Sequence, residues 1–253
     1  MNYKLEIATT DFAGTEAAVN GGADRIELCS ALSEGGLTPS FGLIRQCREK
    51  FSIAVFPIIR PRSGDFLYND DEYRVIKNDV ALCKQLGCDG IVIGFLKRNG
   101  NIDKKRIAKI VERAYPLEVS FHRAFDRCDD PFQAMEDIID VGCQRILTSG
   151  QELTATEGAE LIKKLIKAAD NRIIIMPGSG VKKENIKALA EATGAEEFHA
   201  SLRTTIKSKM DFLHPSFSNA GNYEHSGILE EEVRATKEEL KQLQKNAPLR
   251  GTV

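Results

Sequence analysis

Short apolar runs alternate with longer amphipathic stretches along most of the chain. The runs predict strands over Lys4–Ala8, Arg25–Cys29, Ile53–Ile59, Gly90–Gly94, Leu117–Phe121, Arg145–Thr148, Arg172–Met176 and Glu196–His199. The intervening stretches predict helices over Thr15–Asn20, Pro39–Lys50, Asp70–Leu86, Asp103–Ala114, Pro131–Val141, Gly158–Ala169 and Lys182–Ala192. In the helix from Asp70, the apolar residues Tyr73, Ile76, Val80 and Leu86 recur near the helical period, with Asp71, Lys77, Asp79 and Lys84 between them. The run Ile173–Met176 is apolar on both faces, as in a parallel sheet covered by helices.

A glycine-led repeat organises these elements. Gly22-Ala23-Asp24-Arg25-Ile26-Glu27-Leu28 matches Gly87-Cys88-Asp89-Gly90-Ile91-Val92-Ile93 and Gly142-Cys143-Gln144-Arg145-Ile146-Leu147-Thr148, and Gly194–His199 follows more loosely. Each copy reads as a helix ending in Gly, a tight turn and an apolar strand. Four copies of a two-strand unit make eight strands. Strand-helix alternation then predicts an α/β protein of right-handed units closing into a single-domain (βα)8 TIM barrel over residues 4–201. A doubly wound open sheet is the alternative, and it accounts less well for eight similar units.

Beyond the barrel, residues 202–228 are polar, rich in Ser and Asn, and without helical period, which predicts an extended loop. Leaving a strand's carboxyl end, it could close over the barrel mouth, reach a neighbouring subunit, or be an unstructured insertion. Residues 229–253 read as a charged helix over Leu229–Leu243, the eighth of the outer ring, and a loose tail, NAPLRGTV.

Composition narrows the functional classes. Hydrophobic residues make up 42% and charged residues 28%, as in soluble globular proteins. A net charge of −2 and the absence of Trp argue against nucleic acid or an anionic membrane as partner. No apolar run is long enough to span a bilayer, and the amino terminus lacks a secretory pattern, so a cytoplasmic protein is expected. In that compartment the six cysteines should be free thiols, and most read as small buried hydrophobes.

The chemistry gathers where strands end. In Glu118–Pro131, EVSFHRAFDRCDDP, a strand runs into His122, Arg123 and Asp126, and Asp130-Pro131 then opens a helix. In parallel α/β proteins such positions bind ligands. Closing the barrel brings to the same mouth Glu6, Glu27 with Cys29, Arg60, His199 and Ser201, with Glu6 beside His199. A carboxylate within an apolar strand is costly unless compensated. Glu6 and Glu27 facing one cavity would repel, splitting into one acid and one base, with His122 and His199 to orient them or relay protons. An ion pair between Glu27 and Arg60 that merely seals the barrel is the structural alternative, as is a local Arg123–Asp126 pair. Arg60 and Arg123 suit a substrate carboxylate or phosphate. The loops at Ser149-Gly150 and Gly178–Gly180 offer backbone donors for the same small anionic ligand, with Arg62, Ser63 and Gly64 as a second anion-friendly patch. For metal, Cys29 alone among the thiols falls at a strand end, and the thiol pairs suited to copper(I) are missing.

The blocks GGADRIELCSALSEGGLTPS, IIRPRSGDFLYND, FHRAFDRCDDP, RILTSG, IMPGSGV and EFHAS together resemble the CutC copper homeostasis proteins, over nearly all of Leu5–Ser201. The resemblance implies a TIM barrel, a cytoplasmic homo-oligomer and a part in copper handling, with copper bound through cysteine near the barrel mouth. Carried over, that metal position is Cys29; where some members have a further Cys in the last strand, this chain has Ala200. Two functions follow as expectations: copper binding in copper homeostasis, or acid/base catalysis on a small anionic, phosphorylated or carboxylated, substrate.

Overall fold

A computed structural model of the chain describes residues 3–217 and 223–246. Eight strands appear in chain order: β1 (Lys4–Thr9), β2 (Arg25–Leu28), β3 (Ala54–Pro57), β4 (Gly90–Ile93), β5 (Glu118–Phe121), β6 (Arg145–Thr148), β7 (Ile174–Pro177) and β8 (Glu197–Ala200). The helices between them are α1 (Phe12–Asn20), α2 (Phe41–Lys50), α3 (Asp70–Gln85), α4 (Lys104–Ala114), α5 (Pro131–Asp140), α6 (Ala159–Ala169) and α7 (Ile186–Thr193). Local chemistry sets their starts. Asp11 caps α1, Asn69 and Glu72 form a reciprocal capping box on α3, and Asp130 caps α5 with Pro131 in its first turn.

The strands pair in parallel as β3-β2-β1-β8 and β4-β5-β6-β7. The two sheets join at β3 and β4, where Ile58 bridges to Val92 and Ile59 N–H donates to Val92 C=O at 2.8 Å. They meet again at β7 and β8, where a Cβ at Gly178 would lie 2.4 Å from Leu147 Cδ1 and 3.3 Å from His199 Cβ. The lack of a side chain at Gly178 eases that approach. The ring is a TIM barrel, closed at this seam by side-chain packing.

Alternation along the strands separates two environments. Leu5, Ile7, Ile26, Leu28, Ile91, Ile93, Val119 and Phe121 are fully buried in the main core with helix residues such as Ile44, Ile76 and Ile107. Each such burial stabilises by about 1.5–3 kcal/mol. The other strand face is mostly polar, carrying Glu6, Arg25, Glu27, Ser120, Arg145, Glu197 and His199 into the barrel, all buried. A small apolar cluster of Cys29, Phe56, Ile58 and Val92 fills the β2–β4 side.

The segment expected as a polar loop begins and ends in strands that pair as a two-stranded antiparallel hairpin. Its strands are β9 (Arg203–Lys207) and β10 (Glu224–Ile228), with Arg203 opposite Ile228. The alternating exposure of Arg-Thr-Thr-Ile-Lys is a strand signal, but five residues of it vanish within polar surroundings. Packing decides the matter: Ile228 Cδ1 lies 3.6 Å from where a Cβ of Gly14 in α1 would stand. The closing helix α8 (Glu230–Asn246) sets Val233 against Gly21, where any Cβ would clash at 2.5 Å. Its Lys237 donates to Tyr3 C=O at 3.1 Å and pairs with Asp24. Residues 218–222 of the expected loop and 247–253 of the expected tail lie outside the described residues. No described helix is long and apolar enough to cross a membrane.

Candidate active site

A chain of alternating charges climbs the barrel interior. At the amino-terminal ends of the strands, Arg145 on β6 pairs with Glu118 on β5 and with Glu197 on β8 at 2.9 Å. Glu197 also accepts from Arg25 Nη2 at 2.8 Å, and Arg25 Nε pairs with Glu6 on β1. Both guanidinium groups stand over the Phe56 ring, at 5.2 Å and 5.5 Å. The β1–β8 register sets Glu6 level with His199, and His199 Nδ1 donates to Glu6 Oε1 at 2.7 Å. His199 Nε2 then faces Glu27 Oε2 at 3.8 Å.

This arrangement splits the two glutamates. Burial opposes ionisation of Glu6, but Arg25 and His199 outweigh it and hold its pKa at about 2. Glu27 has no arginine in contact, and burial, reinforced by the Glu6 charge, pushes it up to about 7. The split expected from two carboxylates is therefore present, with Arg25 rather than Arg60 as the cation behind it. Burial works against the His199 imidazolium, yet Glu27 and Glu6 together raise its pKa. A Glu6–His199 pair with one free imidazole nitrogen beside a near-neutral carboxyl is equipped to accept and return a proton.

Above this pair lies a cavity of about 300 Å³ at the carboxyl ends of the strands. Of the residues expected there, Glu27, Arg60, His122, Arg123, Asp126, Gly180, His199 and Ser201 line it, whereas Glu6 sits behind His199. Arg60 turns away from Glu27 and donates to the carbonyls of Glu34, Gly36 and Gly64. Asp126 is an anchor: Arg123 Nε at 2.7 Å, Thr148 Oγ1, Ser149 N and Gln151 N all donate to it. Ser149 holds Arg123 Nη2 at 2.8 Å, so this serine shapes the wall from behind, and its neighbour Gly150 packs against Gly158. His122 accepts the Ala124 N–H at Nδ1, stacks 4.8 Å from Phe66, and leaves Nε2 buried with no partner. Burial and the nearby Arg60 charge drive its pKa down to about 3, so it stays neutral.

Cys29 lies apart. Its thiol is fully buried, donates to Thr9 C=O at 3.4 Å, and packs with Phe56, Ile58 and Val92; burial pushes its pKa up. Neither Cys nor Met lines the cavity. Glu6, Glu27 and His199 present donor atoms within 4.8 Å of one another, but Arg25 and His199 already occupy both oxygens of Glu6. One carboxylate and one imidazole nitrogen remain, short of a metal centre's usual ligand set. The donors at this mouth do not fit a thiolate copper(I) site.

The family model of the CutC family matches residues 3–204. The chain belongs to the CutC family. A human relative, described as a copper homeostasis protein CutC homolog, is 49% identical over 214 residues, covering 85% of this chain and 78% of its own. A family protein CutC of Chromobacterium violaceum is 43% identical over 244 residues, covering 95% and 99%. The crystal structure of a CutC protein of Streptococcus agalactiae superposes with a TM-score of 0.75 at 32% identity, covering 79% of this chain and 98% of that one. Within the CutC match lie the whole charged ladder and all the cavity residues named above; most of the hairpin and α8 lie beyond it.

Four residues of the ladder escaped the reading of the sequence: Glu118, Arg145, Glu197 and Arg25 stood only as members of strands. Their signal was the spacing Arg25-x-Glu27 and Glu197-x-His199, which puts each pair on one strand face. Arg127 and Arg203 of the cavity wall were missed as well. Arg203 stood in the segment read as a loop, while Ser179, within the expected Gly178–Gly180 loop, holds a left-handed φ of 80°.

Proposed function

We propose that this chain is an enzyme that transfers protons on a small anionic substrate held in the barrel mouth. The observation that carries this reading is Glu27: a buried carboxyl on the cavity wall, poised near neutral pH, 3.8 Å from an imidazole that a second carboxylate orients. Glu27 serves as the group exchanging the proton with substrate, and His199 as its partner. Glu6 is the positioning residue: its hydrogen bond fixes the tautomer and plane of His199 and leaves Nε2 directed at Glu27. Arg123, Arg127 and Arg203 on the cavity wall supply the charge that an anionic group requires.

The copper homeostasis role named for the human relative fits this chain best as an indirect consequence of that chemistry, since the cavity offers no thiolate. Six free, buried cysteines support residence in a reducing compartment, the cytoplasm.

The test is turnover. Wild-type protein and Glu27→Gln are screened by NMR against small phosphorylated and carboxylated metabolites. For any compound the wild type converts, Glu27→Gln should be slower by about a hundredfold or more. Full turnover by the variant refutes the assignment.

A further inference from the structure

His122 is built in a way that general proton transfer does not explain. Its Nδ1 accepts a backbone N–H from Ala124 at 3.1 Å, so the ring's single hydrogen resides on Nε2. That Nε2–H is buried and meets no acceptor, although the ring borders the cavity. A buried donor without a partner is costly, so such groups point to a ligand atom that completes them. Gly94, just past β4, makes room for the ring: a Cβ there would lie 2.3 Å from His122 Cε1 and 2.4 Å from Nδ1. Phe66 covers its face at 4.8 Å. His122, just past β5, and the proton acceptor Glu27 on β2 thus line the same cavity, and a small turn of the imidazole offers its buried Nε2–H to a ligand there.

We infer that the substrate is a small phosphorylated α-hydroxycarbonyl compound, whose carbonyl oxygen accepts the His122 Nε2–H while Glu27 takes the proton from the neighbouring carbon. This rests on the proton-transfer reading above and gives it a substrate class. The carbon–hydrogen bond breaks and its electron pair forms the carbon–carbon double bond. The carbonyl π pair moves to oxygen, giving an enediolate that His122 stabilises through its hydrogen bond, within the field of Arg60. While Glu27 holds this proton, the hydroxyl proton of the enediolate shifts from its own oxygen to the neighbouring charged oxygen, and Glu27 then returns its proton to the former carbonyl carbon on the same face. Isomerisation results, balanced without any co-reactant. A neutral imidazole suits this role because its N–H strengthens its bond as the oxygen gains charge, without pulling a proton onto the intermediate. The phosphate belongs at the outer wall, where Arg123 is part-exposed, Arg127 and Arg203 are exposed, and the Ser179–Gly180 turn runs at φ 80° and 74°.

The test compares two probes by calorimetry: phosphoglycolohydroxamate, which mimics a phosphorylated enediolate, and ethyl phosphate, which offers a phosphate of the same reach with no oxygen where the enediolate would lie. Wild type should prefer the hydroxamate by about tenfold or more, the worth of one hydrogen bond to a charged oxygen. His122→Phe should cut that preference by about tenfold while still binding ethyl phosphate, and His122→Gln, which keeps a donor, should restore part of it. Equal binding of the two probes by wild type, no binding of the hydroxamate, or an undiminished preference in His122→Phe overturns the inference. Circular dichroism and urea midpoints of each variant establish that it is folded. If a substrate's turnover depends on Glu27 while wild type shows no hydroxamate preference, the substrate class falls and the proton-transfer reading stands. Turnover independent of Glu27 removes both.

Discussion

Replacing Glu27 by Gln should stabilise the fold at alkaline pH while it disables the site. In the unfolded chain this carboxyl titrates at the ordinary 4.5, and in the folded protein at about 7. A raised carboxyl pKa means that folding favours the protonated form. The stability tied to that proton is complete below pH 4.5 and is lost as pH rises through 7. A gap of about 2.5 units at 1.36 kcal/mol per unit amounts to about 3 kcal/mol, a sizeable part of the 5–15 kcal/mol typical of a domain. His199 is also raised and faces the same proton, so its share is not added separately. Glu6 titrates at about 2, and its contribution fades only below pH 4.5, outside the window. Gln keeps the shape and polarity of the side chain and removes the titration.

Urea unfolding of wild type and Glu27→Gln at pH 4.5, 6, 7 and 8 reads this directly. The difference between their stabilities should shift in favour of the variant by about 3 kcal/mol between pH 4.5 and 8. With a slope of about 3 kcal/mol per molar urea, the midpoints should separate by about a further 1 M. The slope itself should not change. Parallel pH curves for the two proteins, or a gap that widens toward acid, would refute the picture of a neutral buried carboxyl.

Arg25→Met should cost about 3–5 kcal/mol in the same assay, because it strands Glu6 and Glu197 in the barrel without their shared cation, whereas Arg45→Ala, which breaks an exposed helix pair, should stay within about 0.5 kcal/mol. Equal losses would mean that the interior charges are well hydrated. In a copper(I) competition with a chelator, Cys29→Ser should differ no more from wild type than Cys47→Ser does, since neither thiol reaches the cavity. A selective loss at Cys29 would show that the thiol can leave Thr9 and take up metal.

The barrel was legible because its signals are local and repeated: glycine-terminated helices, capped starts and apolar strands at regular intervals. Glu27, His122 and His199 stood out because each is a polar residue within or just past an apolar strand, where core filling cannot explain it. Register was harder. The sequence alone allowed Arg60 to neutralise Glu27, and only the structure shows its two terminal nitrogens donating to three carbonyls while Arg25 holds Glu6 from below. The Cys29 position illustrates the same limit. Two residues past Glu27, it shares that face as expected, but its thiol packs among Phe56, Ile58 and Val92, donates to Thr9 C=O and does not line the cavity. The hairpin went unseen because its stability lies in contacts with α1, remote in sequence.

The partly exposed Glu118 and the cavity-facing Glu27 are the two ends of one run of opposite charges, with no apolar layer between them. The interior therefore behaves as a preset solvent whose dipoles are oriented when the chain folds and need not reorient when substrate arrives. Such an interior cannot drift by single substitutions, because each charge is the counter-ion of the next. Sign changes along it would have to come in compensating pairs. Heating offers no intermediate either: a barrel that loses this alignment loses its wall, so activity and fold should melt at the same temperature.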